Sequence, residues 1–410
     1  MQIYKVGGAV RDKLLKRKVV DHDYVVVGAT VDEMLTQGFT PVGKDFPVFL
    51  HPQTHEEYAL ARTERKTGKG YHGFAFHADK DVTLEEDLIR RDLTINAIAE
   101  DEQGRLYDPY NGVQDIRDRV LRHVSPSFVE DPLRVLRVAR FAARYADYGF
   151  SIAAETMAMM QCLVDHDEME ALVAERVWQE VEKALADNNP RIFFEILRQC
   201  GALARLFPEI DCLYGVPQPK QWHPEIDTGI HTMMVLEQAA RISAEPRVRF
   251  AALVHDLGKG TTPEEQWPRH IAHEIRGVPL VKKLCQRLKI PNDYTALALL
   301  VTEFHLNYHR IGELKPATIV DLLSRLDAFR RAERFEFFLM ACEADSRGRI
   351  GYEDMPDDKT RLFRAFFRAA NEVSPGEIVA QGFKGIEIAE QLRLKRIDAV
   401  RQLRKQQKIR

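Results

Sequence analysis

The chain has 410 residues, of which 45% are hydrophobic and 30% are charged, and its net charge at pH 7 is −3. This length favours two or more domains, and the charge excludes a protein that attracts nucleic acid over its whole surface. The five cysteines form no C-x-x-C pair, which argues against a disulfide framework or a zinc ribbon. Because neither a long apolar run nor an N-terminal signal pattern occurs, we expect a cytoplasmic protein without membrane contact.

The secondary-structure pattern changes along the chain. Short apolar segments at residues 25–27, 46–50 and 58–61 predict strands, and helical segments lie between them. From about residue 130 onward, helical periodicity dominates and strand signals nearly vanish. The predicted fold class is therefore α+β, with a head of mixed sheet and helices followed by an all-α body.

A glycine pair near the N-terminus is the first candidate binding motif. Gly7 and Gly8 let backbone amides approach a phosphate closely, and a helix that begins there adds its positive end. Arg11 would contribute a charge-assisted contact to the same phosphate. A plain turn before a helix is the structural alternative. We predict Gly8 and Arg11 as nucleotide-binding residues.

Two acids follow in a β-prone run. Alternation places Asp21 and Asp23 on one face of a strand, about 7 Å apart, and His22 on the other face. This geometry suits Mg²⁺, which binds through one or two carboxylates together with substrate phosphates. A pair of such ions can activate an attacking hydroxyl and stabilise a leaving pyrophosphate. We therefore predict Asp21 and Asp23 as catalytic, Mg²⁺-binding residues.

A carboxylate and three arginines share one side of a predicted helix. Asp131, Arg134 and Arg137 lie on the same face, and Arg140 is close behind. Cytosine and adenine each present an amino donor beside a ring-nitrogen acceptor, which a carboxylate and a guanidinium can meet, whereas uracil and guanine present a carbonyl there. Alternatively, Asp131 caps a helix that starts at Pro132, and the arginines form a solvated stripe. Both roles can coexist.

Five ordered motifs in roughly the first 145 residues resemble those of one group of enzymes. They are Gly7-Gly8 with Arg11, Asp21 with Asp23, Arg90-Arg91-Asp92-Leu93-Thr94-Ile95-Asn96-Ala97, Asp108-Pro109-Tyr110-Asn111-Gly112 followed by Asp115, and Glu130-Asp131-Pro132-Leu133-Arg134. They resemble class II tRNA nucleotidyltransferases and bacterial poly(A) polymerases of the polymerase-β-like superfamily. The resemblance implies that Asp131 and Arg134 act as an amino-acid template, and that Arg91, Arg137 and Arg140 help to hold the nucleotide. It also implies a third metal-facing carboxylate, for which Glu57 and Glu56 both remain open.

The resemblance implies template-independent addition of CCA to the 3′ end of tRNA from CTP and ATP. A poly(A) polymerase is the nearest alternative. Those enzymes resemble one another in a basic G-R-R-F-like segment after the D-x-D strand, whereas this chain has an acid, Asp45, in the corresponding Gly43-Lys44-Asp45-Phe46. The acid favours the tRNA enzyme.

A second set of residues resembles the metal-binding set of HD phosphohydrolases. His255 and Asp256 close a predicted helix, His231 lies 24 residues upstream and Asp321 lies 65 residues downstream. The resemblance implies a site for Ni²⁺, Mn²⁺, Co²⁺ or Mg²⁺ whose bound water attacks a phosphate ester, and hence a phosphatase or phosphodiesterase. Three further histidines compete with Asp321 as the remaining ligand: His270, His273 and His305.

We predict four segments along the chain. They are a nucleotidyltransferase head at 1–125, a helical neck with the base-reading motif at 126–225, an HD domain at 226–330 and a helical tail at 331–410. The Pro-rich stretch at 215–219 is a candidate joint. The tail is rich in Lys and Arg from Arg393 onward, a pattern typical of either a tRNA contact or a solvated helix face.

Two rival functions belong to other classes. In a nucleotide-signalling hydrolase, the HD module would perform the chemistry and the head would only bind a ligand. A purely RNA-binding protein would need neither metal site. The intact pair Asp21 and Asp23 counts against the signalling hydrolase. The sequence does not decide whether the protein forms a homo-oligomer.

Overall fold

The computed structural model describes residues 1–19, 22–42, 48–66 and 74–406, with the backbone alone at 64–66 and 74–77. The chain divides into two compact units, Met1–Leu206 and Phe207–Arg410. The first unit holds the strands and the second is helical, so the predicted α+β class is confirmed. The division into four segments stays a prediction. No helix within the described ranges is long and apolar enough to cross a membrane.

A mixed sheet organises the first unit. The strands are β1 (Gln2–Val6), β2 (Asp23–Val27), β3 (Thr40–Val42), β4 (Val48–Leu50), β5 (Glu57–Leu60), β6 (Thr63–Lys66), β7 (Phe74–His77), β8 (Ala99–Glu100), β9 (Leu106–Tyr107), β10 (Val120–Leu121) and β11 (Ser151–Ile152). The described part of the sheet has the order β3-β4-β5-β2-β1-β8-β9, in which β2 and β5 are parallel and the other neighbours are antiparallel. Strands were expected at 25–27, 46–50 and 58–61, and β2, β4 and β5 occupy these positions; residues 46 and 47 lie outside the described residues.

The register at the centre of the sheet places a carboxylate beside the glycine turn. Asp23, the first residue of β2, is paired with Val6 on β1 and with Glu57 on β5. Gly7 follows Val6 directly, so the chain turns next to Asp23. Gly7 has φ 64°, and a Cβ there would lie 3.0 Å from Nη1 of Arg91. Both facts favour glycine at this position.

Helices cover the sheet and continue as a bundle within the first unit. They are α1 (Gly8–Leu14), α2 (Val31–Thr36), α3 (Leu84–Ile89), α4 (Gly112–Asp118), α5 (Leu133–Arg144), α6 (Ala154–Asp165), α7 (Ala174–Ala186), α8 (Pro190–Gln199) and α9 (Ala202–Leu206). Helix α5 packs against α7 and α8. Its apolar residues, including Val135, Leu136, Val138 and Ala139, are fully buried, so its arginines are left on the remaining side.

The Asp-Pro-Tyr-Asn-Gly motif is a tight junction between elements. The Asp108 carboxylate accepts hydrogen bonds from the backbone N–H groups of Gly112, at 2.7 Å, and Val113, at 2.9 Å. Gly112 begins α4, and a Cβ there would lie only 2.1 Å from the carbonyl oxygen of Thr94. Only glycine allows α4 to approach the turn that contains Thr94 this closely.

The second unit is built from helices. They are α10 (Pro208–Asp211), α11 (Thr228–Ile242), α12 (Pro246–Val254), α13 (His273–Arg287), α14 (Asn292–His309), α15 (Pro316–Arg325), α16 (Ala332–Arg347), α17 (Asp358–Asn371), α18 (Pro375–Ala380) and α19 (Ile386–Gln406). Helices α11, α12, α14 and α16 pack against one another. Gly258 lies just after α12, and a Cβ there would lie 1.9 Å from the His273 carbonyl oxygen, so this glycine permits close packing on α13.

The basic tail helix, α19, is docked within the second unit. It packs against α15 and α17. Arg393 pairs with Asp321, the guanidinium of Arg396 lies 3.6 Å from the ring centroid of Phe329, and Arg404 donates to the Gly312 carbonyl at 2.8 Å. These contacts favour a packing role for the three arginines over the tRNA contact considered from the sequence.

Candidate active sites

A cavity of about 650 Å³ in the first unit contains the predicted nucleotide-binding residues. Its lining includes Gly8, Arg11, Asp23, Arg91, Asp131, Arg134, Arg137 and Arg140. The structure therefore brings together every described member of the predicted head set, although these residues are spread over more than 130 positions. Asp21 lies outside the described residues.

The cavity has a strong excess of positive charge. Nine basic side chains line its described part, namely Arg11, Arg90, Arg91, Arg134, Arg137, Arg140, Arg144, Arg176 and Lys183, against four acids, Asp12, Asp23, Asp92 and Asp131. An excess of this kind suits a nucleoside triphosphate, because guanidinium groups bind phosphate oxygens through charge-assisted hydrogen bonds.

Acidic side chains hold most of these arginines in place. The Nε atoms of Arg11, Arg137 and Arg140 lie 3.0 Å from Asp12, 2.7 Å from Asp92 and 2.5 Å from Glu180, respectively. Nη2 of Arg91 lies 3.1 Å from Asp87, and Nη2 of Arg176 lies 3.1 Å from Asp131. The guanidinium positions are thus set before a ligand arrives, which lowers the cost of binding.

The buried Asp92 carboxylate stays ionised. Burial alone would raise the pKa of Asp92, but Arg137 and a hydrogen bond from Asn96 hold it well below its usual value of 3.8. The same carboxylate raises the pKa of Arg137. Because the folded-state pKa of Asp92 is lowered, its contribution to stability is complete above its usual value and is lost as the pH falls below that range.

Asp131 has a structural role in addition to its place in the cavity. Its Oδ1 accepts from the Leu133 N–H at 3.0 Å, which caps α5, and its Oδ2 accepts from Arg176 at 3.1 Å. Arg134 donates to the carbonyl oxygen of Ser127 at 3.0 Å and to that of Arg90. The Asp131 carboxylate thus accepts from the first N–H of α5, as the capping alternative requires, although the helix starts one residue later than expected and its N-cap residue is Pro132. The reading of the base stays a prediction.

The register of β5 distinguishes the two candidates for a third carboxylate. Glu57 is the direct partner of Asp23, and directly paired residues of neighbouring strands share a face of the sheet. Glu56 lies on the other face, where its charge raises the pKa of Tyr24 and of Tyr58 after the larger effect of burial. The register therefore favours Glu57.

The second unit brings His231, His255 and Asp256 together, but it does not add Asp321. Nε2 of His255 lies 3.2 Å from the Asp256 carboxylate, and Nε2 of His231 lies 4.0 Å from it. Asp345 joins them instead, with Oδ1 at 3.1 Å from Nε2 of His231 and 3.5 Å from Nε2 of His255. These groups are buried.

The assignment of Asp321 as a ligand is corrected to Asp345. The Asp321 carboxylate is nearly half exposed and accepts from Arg393 at 2.6 and 2.8 Å. Helix α15 presents it to α19, whereas α16 packs against α11 and α12 and directs Asp345 to the histidines. Spacing alone could not find Asp345, because an acid late in a helical region carries no local signal.

Two of the three competing histidines also join the cluster. Oδ1 of Asp256 lies 3.2 Å from Nε2 of His273 and 3.6 Å from Nε2 of His305. His270 does not join, since its nitrogens face Thr262 Oγ1 and the Pro217 carbonyl, each at 2.9 Å. We call the six residues His231, His255, Asp256, His273, His305 and Asp345 the HD cluster.

The donor atoms of the HD cluster fit a divalent metal ion. The Nδ1 atoms of His231, His255, His273 and His305 face main-chain carbonyls at 2.7–3.0 Å. A carbonyl only accepts, so each Nδ1 carries the hydrogen and each Nε2 offers a lone pair. Within the described part of the chain, Nε2 of His255 and Oδ1 of Asp256 are buried without a hydrogen-bond partner. Nitrogen and carboxylate donors of this kind suit transition metals as well as Mg²⁺.

Electrostatics point to the same conclusion. Burial alone would lower the pKa of His255, but Asp256 and Asp345 raise it to about 10. The two buried carboxylates therefore require positive charge at this position. A bound metal ion would supply that charge. When no metal ion is bound, a proton on His255 supplies it.

Comparison with known proteins identifies the family. The chain matches the models "Poly A polymerase head domain" at residues 3–122, "Probable RNA and SrmB- binding site of polymerase A" at 149–213 and "HD domain" at 228–329. It is 61% identical to the Multifunctional CCA protein of Nitrosococcus oceani, over 98% of each chain, and 58% identical to that of Pseudomonas fluorescens, over 99% of each. The chain belongs to the multifunctional CCA protein family. Poly(A) polymerase, the nearest alternative, is not the name of either relative.

Solved structures share the fold of this multifunctional CCA protein family member. A CCA-adding enzyme in complex with CTP has a TM-score of 0.65 at 22% identity, with 97% of this chain and 87% of that chain covered. The Thermotoga maritima CCA-adding enzyme, complexed with tRNA, has a TM-score of 0.63 at 21% identity, with 97% and 86% covered. At this identity the likeness concerns the fold alone.

The correction from Asp321 to Asp345 can be tested by metal binding. In an Asp23→Ala background, which removes a head ligand, Asp345→Asn should weaken Mn²⁺ binding by at least about tenfold, because it removes one carboxylate of the HD cluster. Asp321→Asn is the matched control and should bind Mn²⁺ like its parent. Calorimetric titration measures both. Unchanged affinity in Asp345→Asn, or an equal loss in Asp321→Asn, would contradict the correction.

Proposed function

We propose that the first unit adds C and A residues to the 3′ end of tRNA from CTP and ATP, without a nucleic-acid template and with release of pyrophosphate. The observation that carries the proposal is the cavity in which Asp23 and the glycine turn meet nine basic side chains. Its charge suits a triphosphate, and the strand-borne carboxylate of Asp23 suits Mg²⁺. The name shared by the two relatives specifies the product, CCA.

Three side chains of the cavity have a defined part in the transfer step. Asp23, together with Asp21, would hold Mg²⁺, which when bound lowers the pKa of the attacking hydroxyl and neutralises the leaving pyrophosphate. Arg11 and Arg91 bind triphosphate oxygens, and their acid partners keep them in position. The terminal hydroxyl of tRNA then attacks the α-phosphorus, and the bond to pyrophosphate breaks.

Base selection is assigned to Asp131 and Arg134. Both line the cavity, and both are held by hydrogen bonds at the start of α5. A fixed carboxylate accepts from the amino group of cytosine or adenine, and a fixed guanidinium donates to the adjacent ring nitrogen. UTP and GTP would face the carboxylate with a carbonyl oxygen, and this contact between two acceptors is repulsive.

The second unit is proposed to be a metal-dependent phosphatase or phosphodiesterase. The HD cluster would hold the ion, with Ni²⁺, Mn²⁺, Co²⁺ and Mg²⁺ as candidates, and the ion supplies a water of lowered pKa as nucleophile. A fitting purpose is the removal of a phosphate or cyclic phosphate from damaged tRNA ends, because extension requires a free 3′ hydroxyl. The cytoplasmic location stays a prediction, and the oligomeric state stays open.

The first test concerns the catalytic carboxylate. With tRNA that lacks CCA and each labelled NTP in turn, the parent should incorporate C and A, and Asp23→Ala should reduce incorporation to background because metal coordination is lost. Filter binding should show unchanged tRNA affinity, since the basic surface is intact. Asp32→Asn, which alters an exposed acid of α2, is the control and should keep full activity. Incorporation by Asp23→Ala above background would refute the metal assignment.

The second test separates base reading from helix capping. Asp131→Asn keeps a side-chain oxygen for the Leu133 N–H, since asparagine caps as well as aspartate. We expect the same melting temperature but a loss of discrimination against UTP and GTP of about 1–3 kcal/mol, roughly 5- to 150-fold in kcat/KM ratios. Strict exclusion of both nucleotides in a stable Asp131→Asn variant would leave the residue with a capping role alone.

The third test concerns the independence of the two activities. His255→Ala should abolish metal-dependent release of phosphate from an RNA with a terminal phosphate, because a donor of the HD cluster is lost. CCA addition should stay within about twofold of the parent, since the head residues lie in the other compact unit. Asp321→Asn again serves as the control. Equal loss of both activities in His255→Ala would mean that the residue is structural.

A further inference from the structure

A second cavity, of about 580 Å³, opens onto the HD cluster. Asp256, His273, His305 and Asp345 form part of its wall. This volume falls within the roughly 300–1,000 Å³ of small-molecule sites and leaves room for much more than a phosphate group. The other walls therefore indicate which ester the cavity accepts.

One wall contains an exposed indole. Trp222 lines the cavity, and 60% of its surface is accessible. Its backbone is fixed, because its N–H donates to the Pro219 carbonyl at 3.0 Å and its own carbonyl accepts from Arg349 at 3.3 Å. The next residue, His223, packs edge-on against His231 of the HD cluster, with ring centroids 4.6 Å apart. The indole is thus an accessible aromatic surface on a held backbone, next in sequence to a residue that contacts the HD cluster.

A pair of donors lies at the inner end of the cavity. Nζ of Lys259 lies 2.5 Å from Oε1 of Gln218 and 2.5 Å from the Asp256 carboxylate. Lysine only donates, so the atom of Gln218 that faces it is the oxygen, and the amide nitrogen points elsewhere. Gln218 is only 2% exposed, and its amide nitrogen is buried without a hydrogen-bond partner among the described residues. A phosphate oxygen is an acceptor that would satisfy it.

The rim is basic. Arg269, Arg310, Arg349 and Lys359 line the cavity in addition to Lys259, against the acids Asp256, Asp345 and Glu313. A metal ion at the HD cluster would add further positive charge. This charge suits the anionic end of a ligand, whereas the indole suits a flat uncharged group, and a nucleotide contains both.

We propose that Trp222 stacks the nucleobase of a nucleotide whose phosphate binds at Gln218 and Lys259, so that this residue makes the HD site selective for phosphate esters of nucleosides. The proposal rests on the proposed phosphohydrolase function. It assigns the substrate specificity of that function to Trp222, whose indole takes no part in binding the metal ion. It makes the 3′-terminal nucleotide of an RNA the unit that the site recognises.

The test compares a substrate that has a base with one that has none. For adenosine 3′-monophosphate, Trp222→Ala should raise KM about tenfold and leave kcat within about twofold, because stacking is lost but the metal donors remain. For glycerol 2-phosphate, both constants should equal those of the parent. Trp222→Phe should restore the low KM. Each assay uses Mn²⁺, Ni²⁺, Co²⁺ or Mg²⁺, whichever supports hydrolysis by the parent.

A binding measurement and two further variants complete the design. Calorimetric titration of the metal-free proteins with adenosine 3′-monophosphate should show about tenfold weaker binding to Trp222→Ala than to the parent or to Trp222→Phe. Gln218→Glu keeps an oxygen for Lys259 but removes the amide donor, so KM should rise for both substrates. Val379→Ala, which truncates a side chain that is 53% exposed on α18, should change neither.

The outcomes separate the two levels of the proposal. Equal changes in KM for both substrates in Trp222→Ala would overturn stacking while the phosphohydrolase function stands. Unchanged KM values in Gln218→Glu would overturn the placement of the phosphate. Failure of the parent to hydrolyse either ester with any of the four metals would overturn the proposed function and this proposal together.

Discussion

Repulsion between like charges is the constraint around which the first unit is built. Nine basic side chains line one cavity, and their positive charges repel one another. Buried acids such as Asp87, Asp92 and Glu180 lie behind them and fix individual guanidinium groups. The acids come from separate elements, so the packing of α3, α5 and α7 is inseparable from the shape of the nucleotide site.

The second unit has the opposite constraint, repulsion between buried negative charges. Two carboxylates, Asp256 and Asp345, are buried together, and imidazoles surround them. Each imidazole is oriented by a main-chain carbonyl at its other nitrogen, so the helix backbones set the direction of the donor atoms. The chain thus contains two contrasting charged centres, one with an excess of cations that acids hold in place and one with buried acids that require a cation.

The sequence was a good guide where function depends on local order. Asp23 and the glycine turn could each be found as a short local motif, and the pairing of β1 with β2 then brings them together. Asp345 could not be predicted, since its role depends on which of two late helices packs against α11. The Pro-rich composition of 215–219 predicts a joint, whereas the two units divide after Leu206, and Gln218 in this stretch lines the HD cavity. Proline there rigidifies a functional loop, and composition alone does not distinguish such a loop from a linker.

The pairing of Asp23 with Val6 has a consequence for folding fidelity. Side chains alternate along a strand, so a shift of β2 by one residue would exchange the faces and present His22 in place of the carboxylate. The same shift would separate the stacked rings of Tyr24 and Tyr58, whose centroids are 4.4 Å apart. Val25 and Val26 are buried on opposite faces of the sheet, so the valines alone would tolerate the shift. The contact between Tyr24 and Tyr58 would not, and this aromatic pair thus links a correctly aligned sheet to a correctly placed acid.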